Sequence, residues 1–235
     1  MGYTPDEMLN IFKEYGKEIK YFDIKNLFKG IIDIVIKKKL TIDGLNSGNK
    51  LENIIKKACL NKNIKYINEV KKYLFIPSVD LNTGNIYFFS SINNNRSYSD
   101  KIIYINNIEV WKAVRASCSY PGVFSPVEYD EKLLIDGGIR ENIPWKEAKA
   151  NGADKVFCVK FENKKKAKCR KNIIDVLTGS IDILCHELSN YEIDGADYML
   201  TLRTKNISLL DCSKIDELYE LGYKEGKKFL QNNKI

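Results

Sequence analysis

Apolar residues recur at three- and four-residue spacing from Met8 and Leu9 through Phe12 and Tyr15 to Ile19, which predicts an amphipathic helix reaching about residue 20. Its start is written in Thr4-Pro5-Asp6-Glu7: Thr4 is an N-cap, proline suits the first helical position, and Glu7 can close a capping box. A second helical pattern covers 24–38. A third runs over 50–60, after the turn-like Asn46-Ser47-Gly48-Asn49. Between Lys72 and Ser91 the pattern changes. Tyr73, Phe75, Ile76 and Val79 lead into Asp80-Leu81-Asn82-Thr83-Gly84-Asn85, and Ile86-Tyr87-Phe88-Phe89 resumes the β-prone character, which predicts strand, tight turn, strand.

Further along, the periodicity predicts a helix over 108–117, a short buried strand over 132–135, a helix over 144–151 and a buried strand over 155–161. Asn163 to Lys171 has almost no large apolar residue and reads as a surface loop. A helix over 173–188, a strand over 198–202 and a terminal helix over 213–230 complete the chain. Continuous apolar strands alternating with helices imply an α/β fold, a mainly parallel central sheet flanked by helices. At 235 residues the chain suits a single domain spanning 1–235.

Composition narrows the function classes. The longest apolar run, Ile31 to Ile36, is interrupted by Asp33 and followed by Lys37-Lys38-Lys39, far short of the roughly 20 residues a membrane span requires. Met1 to Glu7 lacks the basic-then-apolar order of a signal peptide, so a cytoplasmic protein is expected. The six cysteines (59, 118, 158, 169, 185 and 212) form no Cys-x-x-Cys pair. With one histidine in the chain, they read as reduced thiols, with no metal and no cofactor. The net charge of +7 raises nucleic acid as a partner, but only five of the 38 basic residues are arginine, the residue that reads bases bidentately, so none is expected. The lysine runs at 37–39 and 164–166, the latter continued by Lys168, Arg170 and Lys171, read first as solvated faces. Their second reading is peripheral contact with an anionic membrane surface.

One segment carries chemistry. Leu133-Leu134-Ile135-Asp136-Gly137-Gly138 is an apolar strand that delivers a carboxylate at its C-terminal end, where open α/β sheets bind ligands. Two glycines follow it, and without Cβ atoms they let other groups approach the acid. Alone, Asp-Gly-Gly is a common turn. Its neighbours are more specific: Pro77-Ser78-Val79-Asp80-Leu81-Asn82-Thr83-Gly84, then the block from Trp111 through Arg115 to Pro126, then Asn142 and Pro144 after the acid, then Asn151-Gly152-Ala153-Asp154-Lys155-Val156. In that order, these blocks resemble the patatin-like phospholipase family.

The resemblance implies a FabD/lysophospholipase-like three-layer sandwich and a lipid or acyl-ester substrate. It also implies a Ser-Asp dyad, with Asp136 as proton acceptor and Gly137 and Gly138 completing the motif. The family's serine sits in Gly-x-Ser-x-Gly, and its oxyanion loop is a run of glycines. Neither occurs in this sequence, and Ser47 and Ser180 are poor substitutes. Met1 to Glu7 resembles the stretch that follows the family's nucleophile. The expectation is therefore a domain truncated at its N-terminus, lacking its first strands and inactive as given. The alternative is a non-catalytic relative that binds lipid or a partner. Asp80 reads as a structural turn residue, and Arg115 and Ser117 as a helix end that could line the site or, more simply, cap the helix and form a salt bridge, neither being catalytic. His186 is not needed by a dyad, and Cys118 and Cys158 read as core thiols.

Overall fold

The computed structural model describes residues 1–16, 44–93, 95–164, 173–205, 207 and 212–234. The helix predicted over 24–38 lies outside them. Helix α1 (Pro5–Tyr15) begins as its sequence predicts: the Thr4 hydroxyl accepts from the Glu7 N–H, and the Glu7 carboxylate accepts from the Thr4 N–H. Strand β1 (Gly44–Asn46) and helix α2 (Asn49–Asn61) follow.

The largest sheet contains β2 (Phe75–Asp80), β3 (Ile86–Ser90), β4 (Ile102–Ile105), β6 (Val127–Tyr129) and β7 (Lys132–Asp136), in the order β4-β3-β2-β7-β6. Strand β3 is buried along its whole length. Its side chains alternate faces, as the pleat requires. Tyr87 and Phe89 join one core cluster, with Ile67, Trp111, Ala113 and Leu134; Ile86 and Phe88 join another, with Ile102. Helix α3 (Val110–Ser117) packs onto β2 and β7 and supplies Trp111, Ala113 and Ala116 to the first cluster. Burying a side chain the size of Phe88 or Phe89 contributes roughly 2–3 kcal/mol.

Two parallel pairs complete the strands: β1 with β5 (Gly122–Phe124), and β8 (Phe157–Lys164) with β9 (Tyr198–Lys205), the latter matched over eight residues. Helices α4 (Trp145–Ala150), α5 (Ile173–Glu192) and α6 (Ile215–Asn233) lie between and after them. The α/β layout with flanking helices holds. The pairing is mixed: β1–β5, β3–β4 and β8–β9 are parallel, while β2–β3, β2–β7 and β6–β7 are antiparallel.

Where a surface loop is expected from Asn163, β8 continues through Lys164 opposite Lys205, because ladder hydrogen bonds do not depend on side-chain polarity; residues 165–172 lie outside the described set. Asp80 is structural, as read from sequence. It ends β2 and accepts from Thr83 Oγ1 (2.7 Å), the Leu133 N–H (3.1 Å) and the Asn82 N–H (3.3 Å), tying the β2–β3 turn to β7. Burial pushes its carboxyl upward, but these hydrogen bonds outweigh that and hold it below the ordinary value.

Arg115 is the least expected core residue, 1% exposed near the end of α3. Its guanidinium donates to Ser119 Oγ (2.6 Å) and to the carbonyls of Ser47 and Ser125 (2.7 Å each), joining α3 to the loops around β1 and β5. Gly48 lies against it with φ +74°, and a Cβ there would sit 1.9 Å from Arg115 Nε. Gly48→Ala combines left-handed strain with that overlap and is expected to cost about 3 kcal/mol. Urea unfolding of the variant checks this; a midpoint equal to wild type would contradict the clamp.

Candidate functional site

Strand β7 ends at Asp136, whose register partner on β2 is Ser78. The Asp136 N–H donates to the Ser119 carbonyl (3.1 Å), so the residue is fixed to the chain leaving α3. The backbone then tightens into a 3-10 turn, Gly137–Ile139, and Asp136 caps it by accepting the Gly138 N–H on Oδ1 at 2.8 Å. Gly137 is required by the backbone beside it, and Gly138 by the close approach of two side chains. A Cβ at Gly137 would lie 2.6 Å from the Pro77 carbonyl oxygen, and one at Gly138 would lie 2.9 Å from Asn142 Oδ1 and 3.1 Å from Asp136 Oδ1.

Asp136 itself is half-buried. Burial raises its carboxyl above the ordinary aspartate value, and the single hydrogen bond from Gly138 offsets only part of that. A carboxylate of raised basicity, fixed in position at the C-terminal end of a strand, has the properties of a proton acceptor.

Helix α5 forms the opposing wall. Tyr120 donates to Asp182 (2.7 Å), and Asn142 Nδ2 donates to Ser189 Oγ (2.5 Å). The Glu192 carboxylate accepts the N–H groups of Asn142 (3.1 Å) and Ile143 (2.9 Å), and the Trp145 indole donates to the Glu192 carbonyl. Asp182, Cys185, Ser189 and Glu192 follow one another at three- and four-residue spacing on one side of the helix. That polar stripe is the signal by which the wall could have been found in the sequence.

The remaining sequence candidates fall into place around this site. Cys118 lies close enough to feel the Asp136 charge, yet burial pushes its thiol up to about 11, so it is a packing residue and not a thiolate. Burial likewise raises the Cys158 thiol. The His186 side chain is 52% exposed and sits 3.7 Å from Glu187 and 3.5 Å from Asn190; among the described residues no ion pair joins it to Asp136. The reading of Arg115 as lining the site is replaced by its buried clamp role. Ser117 is half-buried as the last residue of α3. Ser78 gives its hydroxyl to the Ile135 carbonyl (2.7 Å), and Ser180 gives its own to the Val176 carbonyl (2.9 Å).

Among the described residues no group of three or more His, Cys, Asp or Glu side chains is arranged to hold a metal ion. A groove of about 660 Å³ runs between the β8–β9 pair and α6, lined mainly by Val156, Phe157, Leu200 and Leu202, so it belongs to a different sheet from Asp136.

Because folding raises the Asp136 carboxyl, folded protein binds more protons than unfolded protein from about the unfolded value, 3.8, upward. Its stabilising contribution is therefore complete below that value and is lost as pH climbs through the folded one. Asp136→Asn keeps the acceptor for Gly138 and has no charge to desolvate. Its urea midpoint should exceed wild type at pH 7 and converge with it at about pH 3; a lower midpoint at pH 7 would refute the burial argument. Gly137→Ala, which drives a methyl into Pro77, should cost about 2 kcal/mol in the same measurement.

The chain is 33% identical over 67 residues to the lysophospholipase NTE1 of Saccharomyces cerevisiae and 43% identical over 49 residues to that of Candida glabrata, covering 28% and 21% of this chain. It is 30% identical over 120 residues, 51% of its length, to an uncharacterized NTE family protein of Mycobacterium tuberculosis. These relatives are much longer: the matches span 4%, 3% and 17% of their respective lengths. The patatin-like phospholipase family matches residues 1–149, a stretch that contains β7, Asp136 and the glycine turn. With well over half of its residues in that match, the chain belongs to the patatin-like phospholipase family, a family of lipid hydrolases.

Proposed function

We propose that these 235 residues form the acid-bearing part of a lipid acyl hydrolase in which Asp136 acts as general base for a serine supplied by polypeptide outside them. The observation that carries the reading is the placement of Asp136. Its carboxyl has raised basicity, ends a strand, and is locked by the Gly138 N–H and by the carbonyl of Ser119. No Gly-x-Ser-x-Gly occurs in the sequence.

In this reading Asp136 takes the serine proton as the hydroxyl attacks the ester carbonyl. The alcohol departs with a proton, and water releases the acyl group from the serine. Helix α5 holds the acid's turn in place through Asn142 and Tyr120, so that the carboxylate does not have to be ordered during the reaction. The relatives named for lysophospholipase activity make a lysophospholipid the first substrate to try. The absence of the serine motif favours one second reading, a non-catalytic member that binds lipid or a partner.

The 235-residue chain should not turn over a short-chain acyl ester or a lysophospholipid. A polypeptide joining it to a family segment with the glycine run and Gly-x-Ser-x-Gly should hydrolyse both, and Asp136→Ala should lower its kcat by about 10³-fold. Turnover by the 235-residue chain that Asp136→Ala abolishes would overturn the assignment of the nucleophile. Full activity in the joined Asp136→Ala protein would overturn the role of the acid.

A further inference from the structure

Helix α5 has two faces of different character. Its inner face makes the contacts just described. At 100° per residue, Val176, Leu177, Ile183, Leu184 and Tyr191 all fall on the opposite side, and all are exposed, Leu184 at 69% and Tyr191 at 78%. The stripe is about 22 Å long and is interrupted by two exposed polar residues, Ser180 and the acid Glu187. Exposed side chains of this size scattered singly would need no explanation, but five gathered on one side of one helix do.

Charge points to what covers it. The eight residues 164–171 that precede α5 contain six basic side chains, Lys164, Lys165, Lys166, Lys168, Arg170 and Lys171, and no acid. Basic residues adjacent in sequence to a helix with an exposed apolar face are the combination that binds anionic lipid: cations are drawn to the charged surface, and the apolar side chains enter the boundary beneath the head groups. An apolar protein partner would have no use for the cations.

We propose that the outer face of α5 is a membrane-docking surface that seats Val176, Leu177, Ile183, Leu184 and Tyr191 in an anionic lipid interface. Docking there brings the lipid to the helix whose other face touches the Asp136 turn. The inference rests on the proposed lipid-hydrolase reading for its purpose, though binding itself requires no catalysis.

The test is co-sedimentation of the 235-residue chain with vesicles of phosphatidylcholine alone or with one third phosphatidylglycerol, at low and high salt. Binding is expected to the anionic vesicles, weakened at least tenfold by high salt. It should be weakened tenfold or more by Leu177→Ser/Ile183→Ser/Leu184→Ser, and strengthened by Glu187→Lys, which keeps the stripe and removes its one acid. Asp136→Asn should bind like wild type, so loss of docking and failure of the catalytic reading can be told apart. Equal binding by the triple variant and wild type would overturn the proposal, as would no anionic preference. If the triple variant does not fold, Glu187→Lys decides, and unchanged binding counts against it. A wild-type dimer that the triple variant turns into a monomer would assign the face to a second copy of the chain instead.

Discussion

A buried guanidinium underlies the arrangement of the site. Arg115 is enclosed near the end of α3, where an uncompensated charge would cost several kcal/mol, so its position is tolerable only because Ser119 Oγ and the carbonyls of Ser47 and Ser125 meet its donors. Hydrogen bonds to a charged group contribute roughly 1.5–3 kcal/mol each, enough to fix the loops that supply them. The consequence reaches the candidate acid by a short route. Arg115 holds Ser119 through its hydroxyl, and the Ser119 carbonyl receives the Asp136 N–H. The same clamp closes the 46–48 loop, where Gly48 leaves room for the guanidinium that a Cβ would fill.

Around Asp136 the structure sets competing demands. The turn must be tight enough for Gly138 to reach Oδ1, which excludes a side chain at Gly137 and crowds one at Gly138, and the acid must be sufficiently desolvated to gain basicity. The enclosure that desolvates it comes partly from α5, anchored by Asp182, Ser189 and Glu192 to Tyr120, Asn142 and Ile143. The anchoring of that helix to the site comes from these polar residues of its inner side. Its position links the acid to the molecular surface.

Much of this was legible from residue order. The capping box at Thr4, the strand–turn–strand around Asp80, the alternation of helix and strand after residue 108, and the family membership all followed from local patterns that act over a few residues. Other elements were not. Strands β1, β5 and β6 have three residues each, too few to show a period. The extension of β8 through Asn163 and Lys164 is held by its pairing with β9, some forty residues away, and the side chains there give no sign of it.

By itself the sequence determined the α/β class and the family and singled out the candidate acid, because periodicity, capping and short motifs are properties of neighbouring residues. Only the tertiary structure decided what that acid is like. Its basicity comes from burial by segments distant in the chain, and its position from a carbonyl that Arg115 holds in place. Arg115 reads in the sequence as a charge at a helix end and stands in the fold as the core of a junction. The difference is burial, which is set by everything that packs around a residue and by nothing in the residue alone.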